Sequence, residues 1–165
     1  MEFWLTSRRP GHLLGFLACA SILGYALYLE HVDGLEPCPL CMFQRLVLFA
    51  MGLAFLAAAL HGPRRRGARL YSAVQMVLGA TGIGIALRHI WIQSLPADQV
   101  PACGMGINYM FETLPLMEVI TRTLKGTGEC AHVDLVLGLT IPAWTLMLYL
   151  ALMAWAVLLA VKNRH

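Results

Sequence analysis

Charge is scarce in this sequence. Charged residues make up 13% of its 165 positions and hydrophobic residues 59%, where a soluble domain carries about 25% charged residues. The stretch Leu46–Leu60 reads LVLFAMGLAFLAAAL, with no charge and no polar face of 3.6-residue period. A buried helix of a soluble α-domain would need such a face. Other features are missing too. No basic patch interleaved with aromatics occurs, so the net charge of +3 is no argument for nucleic acid, and no nucleic-acid partner is expected. No second Cys-x-x-Cys and no paired histidines accompany Cys38 and Cys41, as a zinc site would want, so no metal is expected. No small-residue cleavage site follows the first apolar segment, which runs into Glu30, His31 and Asp33. That segment is expected to be a retained helix rather than a signal peptide. No acidic residue lies midway along an apolar run to serve as an ion path.

What the sequence does have is four long apolar runs, at about 13–29, 42–60, 70–95 and 135–161. Roughly 18 or more mostly apolar residues cross a bilayer, and helices are the open-ended structures that satisfy their own backbone there. The expected fold is an all-α integral membrane protein. It is a single membrane domain over 1–165, a four-transmembrane-helix bundle in the lipid bilayer with a short outer loop, about 30–41, and a long one, about 96–134. Small residues such as Gly15, Cys19, Ala80 and Gly84 are expected to let the helices approach closely.

Positive charge is lopsided in this arrangement. Arg8, Arg9, Arg64, Arg65, Arg66, Arg69, Lys162 and Arg164 all fall on one side, eight of the twelve Lys and Arg. The positive-inside rule makes that side cytoplasmic, with both termini. Glu30, Asp33, Glu36, Asp98, Glu112, Glu118, Glu129 and Asp134 fall in or beside the outer loops. Within the long loop, Met110–Leu124 offers an apolar face interrupted by Pro115. It reads either as a short helix on the membrane surface or as a loop packed on the helix ends.

Four of the five cysteines map to the outer side: Cys38 and Cys41 in C-P-L-C at the mouth of the second helix, and Cys103 and Cys130 in the long loop. An oxidising compartment lets disulfides persist. Four cysteines allow three pairings, of which Cys38–Cys41 with Cys103–Cys130 is favoured. Pro39 suits the first turn of a helix, which puts Cys38 near the N-cap and Cys41 inside the first turn. Free N–H groups and the positive helix end favour a thiolate there, as thiol exchange requires. Arg45 follows Cys41 by four residues, hence on the same face one turn deeper. A guanidinium at that depth is expensive, so it needs a partner or a role. It could stabilise a Cys41 thiolate, hydrogen-bond a carbonyl of a small acceptor, or reach out to the headgroups. His89 and Gln93 also share a helix face near the level of Cys41. They could offer polar contacts to a ring carbonyl, but their spacing alone favours interfacial anchoring beside Trp91.

The order C-P-L-C with Arg45, then R-H-I-W-I-Q-S-L-P, P-A-C-G, and G-E-C-A-H-V-D-L-V-L-G-L-T-I-P-A-W-T-L resembles the disulfide bond formation protein B (DsbB) family along nearly the whole chain. The resemblance implies a quinone-dependent thiol oxidase of the bacterial inner membrane, with its active cysteines on the periplasmic side. It implies a periplasmic thioredoxin-fold partner, DsbA, whose thiolate attacks the Cys103–Cys130 bridge at Cys103. Electrons then pass to Cys38–Cys41, through a transient Cys38–Cys103 bridge, and on to ubiquinone, or to menaquinone without air, in the membrane quinone pool. Arg45, His89 and Gln93 match family positions beside the quinone. A vitamin K epoxide reductase-like protein has its loop cysteines before the membrane Cys-x-x-Cys, the reverse of the order here. A scaffold with structural disulfides would leave Arg45 unexplained.

Overall fold

The computed structural model describes residues 8–34, 37–63, 65–96, 99, 112–126, 128–133, 135–136 and 138–162. Four long helices dominate: α1 (Arg8–His31), α2 (Pro39–His61), α3 (Arg65–Gln93) and, last in the chain, α5 (Ile141–Lys162). All four are long and apolar enough to cross a membrane. A short helix α4 (Leu116–Lys125), a 3₁₀ turn (Gly128–Ala131) and a two-strand hairpin, β1 (Leu135–Val136) with β2 (Leu139–Thr140), lie between α3 and α5. The protein is a four-helix membrane bundle. Its outward surface is apolar, with Leu17, Leu46, Phe49, Leu70 and Val77 all exposed, as lipid-facing positions must be.

Helix α2 begins and ends for local reasons. Pro39 opens α2, where a missing N–H costs nothing. Gly62 closes it at φ +54°, its N–H returning to the Ala58 carbonyl at 3.0 Å. The fourth apolar run predicts a helix from about residue 135, but the helix starts at Ile141. Leu135–Val136 and Leu139–Thr140 pair instead around Gly138, whose φ is +83°. Pro142 sits in the first turn of α5, where a proline suits a helix start. The apolar residues ahead of it form the hairpin, with Gly138 in its turn. Trp144 Nε1 ties that hairpin to α5 through the Val136 carbonyl at 2.8 Å.

Packing runs α1 on α2, α2 on α3 and α3 on α5, with a smaller α1–α5 contact. At that contact Trp155 Nε1 donates to the Gly11 carbonyl at 2.9 Å. The main core joins Cys19 of α1, Leu48, Met51 and Phe55 of α2, and Tyr149, Leu152, Ala156 and Leu159 of α5. A second, smaller cluster joins Leu40 of α2, Ile85 and Ile92 of α3, and Cys130. It lies at the end of the bundle that carries Cys38.

Small residues control how closely the helices approach, since lipid gives apolar faces no water to escape. Gly15 meets Phe55, and Cys19 packs beside Gly52, as a small packing residue would. On α3 the expected positions are off by a fraction of a turn. Ala80 and Gly84 are exposed, and a Cβ added at Gly84 would meet nothing within 4 Å. The close approaches are at Gly79, against Met153, and Gly82, where a Cβ would lie 2.3 Å from the Tyr149 ring. Gly82→Val is therefore expected to force α3 and α5 apart and lower the thermal unfolding temperature in detergent markedly. Gly84→Val should leave it unchanged, and equal effects at the two sites would contradict this packing. Cys19→Ala removes one sulfur from the core and is expected to cost on the order of 1 kcal/mol, read in the same experiment as a small shift.

Candidate active site at the thiol end of the bundle

The expected N-cap is present. Cys38 caps α2 with φ −67° and ψ 162°, and its Sγ accepts the Cys41 N–H at 3.4 Å. A serine or aspartate oxygen usually fills that place. Capping by sulfur fixes the Cys38 side chain over the first turn, toward Cys41. Both are half-buried thiols in this structure.

The third member of the group comes from α3. His89 is 2% exposed; its Nε2 lies 3.7 Å from Cys38 Sγ and its Nδ1 lies 4.0 Å from Cys41 Sγ. One imidazole thus spans both sulfurs. It can donate to either of them or take a proton from either. It is a buried member of the thiol group and does not anchor at the interface. Cys130 is fully buried in the neighbouring cluster, with Cys38 packed against it. The fold therefore gathers Cys38, Cys41 and Cys130 at one end. Cys103 lies outside the described residues.

The outer turns of α3 also fix the segment that carries Cys130. Gln93 Nε2 donates to the His132 carbonyl at 3.0 Å, two residues past Cys130. Arg88 donates from Nε to the Leu124 carbonyl at 3.2 Å and from an Nη to the Lys125 carbonyl at 3.0 Å. A guanidinium so placed satisfies the last carbonyls of α4 and complements its dipole. It also stacks 4.2 Å from the centre of the Trp91 ring. Gly126, at φ +84°, lets the chain pass Ile92 so closely that a Cβ would lie 2.3 Å from its Cδ1. Helix α4 buries Val119 and Thr123 and leaves Leu116 and Met117 exposed.

Arg45 has a partner that its spacing from Cys41 does not reveal. Its guanidinium forms an ion pair with Glu30 and donates to the Ala26 carbonyl at 3.0 Å. Both acceptors are on the last turns of α1. The charge pattern puts Glu30 in the outer loop, yet it belongs to α1. A signal for the pair is present in the sequence, because Glu30 ends the first apolar run and Arg45 opens the second, at matching depth. Arg45 and Glu30 stand at the outer end of a groove of about 660 Å³ between α1 and α2. Leu23, Phe49 and, at mid-helix, Gly52 line its apolar length.

Gln44 is a second residue whose place the sequence does not reveal. It is 2% exposed. Its Oε1 accepts from Thr145 Oγ1 at 3.2 Å, its main-chain carbonyl accepts from Tyr149 Oη at 2.7 Å, and its Nε2 is buried without a hydrogen bond among the described residues. These bonds lock the first turns of α2, and with them the cysteine pair, against α5.

Comparison with known proteins identifies the family. The family model described as Disulfide bond formation protein DsbB matches residues 8–159. A disulfide bond formation protein B of Hahella chejuensis is 51% identical over 158 residues, covering 94% of this chain and 95% of its own. That of Marinobacter nauticus is 53% identical over 137 residues, 82% of each chain, and that of Nitrosococcus oceani 51% over 140 residues, 84% of this chain and 83% of its own. A dithiol capping a spanning helix, with a third cysteine and a histidine buried against it, is thus found in a chain that belongs to the DsbB family of disulfide bond formation proteins.

Proposed function

We propose that this protein is a quinone-dependent thiol oxidase of the bacterial inner membrane that reoxidises a periplasmic DsbA-type dithiol protein. The observation that carries the reading is the position of Cys38 and Cys41. They cap a membrane-spanning helix, share His89, and stand one turn from an arginine at the head of a groove that descends between apolar helices. The cluster of Arg and Lys at the opposite end supports a cytoplasmic placement of that end and of both termini, and so a periplasmic placement of the thiols.

The external step falls to Cys103. Cys130 is fully buried, so the thiolate of a soluble partner has no path to its sulfur. Attack at Cys103 of a Cys103–Cys130 disulfide forms a mixed disulfide and releases Cys130 as thiolate. The partner's second thiol then displaces Cys103 and leaves as the disulfide, and the two electrons stay in the Cys103/Cys130 dithiol. Exchange with an oxidised Cys38–Cys41 pair, through a Cys38–Cys103 bridge, moves them one pair inward and frees Cys41. His89 lies within reach of both sulfurs and holds or delivers the proton that each exchange moves.

The donor set suits a quinone. Its ring oxygens are acceptors, and the groups at the inner pair include the Arg45 guanidinium and the His89 imidazole. The apolar groove suits a polyprenyl tail. Gln93 donates to the His132 carbonyl, while its Oε1 is buried without a partner among the described residues. We therefore assign Gln93 to holding the Cys130 segment, with an acceptor left for a hydroxyl. Ubiquinone, or menaquinone without air, supplies the two-electron sink when bound. A test of the thiol half is to mix the oxidised protein, stripped of quinone, with reduced DsbA and to trap thiols by acid and alkylation. Thiols should appear in this chain as they vanish from DsbA, and no transfer would overturn the reading.

A further inference from the structure

The spacing of Cys38 and Cys41 argues against a metal ion, because no further ligand stands near them in sequence. The fold supplies one. His89 reaches the pair from α3, and one ligand atom from each of the three residues can be chosen so that all lie within 4.8 Å of one another. In tetrahedral zinc sites, metal–sulfur bonds of about 2.3 Å and metal–nitrogen bonds of about 2.0–2.1 Å put sulfur and nitrogen roughly 3.6 Å apart. Here Cys38 Sγ lies 3.7 Å from Nε2 and Cys41 Sγ lies 4.0 Å from Nδ1, so whichever nitrogen binds the ion must come closer to the other sulfur. All three ligand atoms already lie within 4.8 Å of one another, so a shift on the order of 1 Å completes three ligands of a tetrahedron. We propose that the reduced Cys38–Cys41 dithiol and His89 form a binding site for a thiophilic divalent cation of the zinc class.

The chemistry makes the site conditional on redox state. Binding takes both sulfurs as thiolates, so it releases two protons from the dithiol. In the disulfide the two sulfurs are bonded to each other, and the site is gone. The cation therefore recognises only the reduced chain. His89 is buried beside the small apolar cluster of Leu40, Ile85, Ile92 and Cys130, and this packing sets the ring in place before the ion arrives. Cys38 and Cys41 remain partly accessible from outside, which leaves an entry path and a fourth position for water. The consequence for turnover rests on the oxidase reading. A dithiol held by zinc can neither form its disulfide nor pass on electrons, so zinc stops the cycle in the reduced state.

The direct test uses Zn(II) alone with the full-length protein in detergent, titrated against a chromophoric chelator. In a Cys103→Ser/Cys130→Ser background, which removes the other dithiol, the reduced chain should bind one equivalent. The same chain with Cys38–Cys41 oxidised should bind none. His89→Ala should weaken binding by at least about tenfold, since loss of even an outer-shell support costs that much. Binding that survives oxidation of the pair, binding that the background abolishes, or binding indifferent to His89→Ala would each overturn the site. Oxidation and reduction act on one unaltered chain, so misfolding of a variant cannot produce the redox result. Zinc inhibition of turnover is a separate reading. Zinc bound without inhibition keeps the site and counts against the oxidase cycle.

Discussion

Cys103→Ala is expected to reduce DsbA reoxidation to background while a small dithiol such as dithiothreitol still drives turnover. The asymmetry follows from burial. Cys130 is 0% exposed and packed among Leu40, Ile85 and Ile92, so a folded partner has no access to it and Cys103 must meet the partner. A small dithiol needs no such intermediary, because Cys38 and Cys41 are only half-buried. Cys41→Ser should remove both activities, since the inner pair then has no disulfide to form. Steady-state rates with the two reductants separate the cases, and they also separate a dead exchange step from a misfolded chain. Normal DsbA turnover by Cys103→Ala would assign the partner's attack to another sulfur.

The second large effect is at Arg45. Arg45→His is expected to raise the apparent KM for quinone roughly ten- to hundredfold, because a hydrogen bond from a charged donor is worth about 1.5–3 kcal/mol. Thiol exchange with DsbA should stay measurable. Arg45→Lys keeps the charge but loses the planar fork that reaches Glu30 and the Ala26 carbonyl together, so it should fall between the two. An unchanged quinone KM in Arg45→His would show that Arg45 merely fastens α1 to α2 through Glu30.

Much of the fold is legible because membrane spans are written in one variable, apolar length. The four runs correspond to α1, α2, α3 and α5, and the C-P-L-C cap is readable because N-cap chemistry is local. The errors have a common cause. Leu135, Val136 and Leu139 extend an apolar run whatever their backbone does, and only Gly138 and Pro142 hint at the hairpin. Rotation about a helix axis is equally hidden when every face is apolar. Gly79 and Gly82 pack where Ala80 and Gly84 are expected, a difference that hydropathy cannot register. The same blindness covers His89. Its sequence distance from Cys38 and Cys41 says nothing of how α3 is turned, so its place between two sulfurs emerges only from packing. Glu30 and Arg45 are closer to readable, since charges at matching depth on neighbouring helices have few other partners.

The proposed activity couples thiol oxidation outside the membrane to quinone reduction within it. The most direct measurement takes purified protein in detergent with reduced DsbA and a soluble ubiquinone analogue and follows quinone absorbance. The predicted result is quinone loss that requires both DsbA and Cys41. No turnover with either ubiquinone or menaquinone analogues, from folded protein with all four outer cysteines intact, would contradict the coupling.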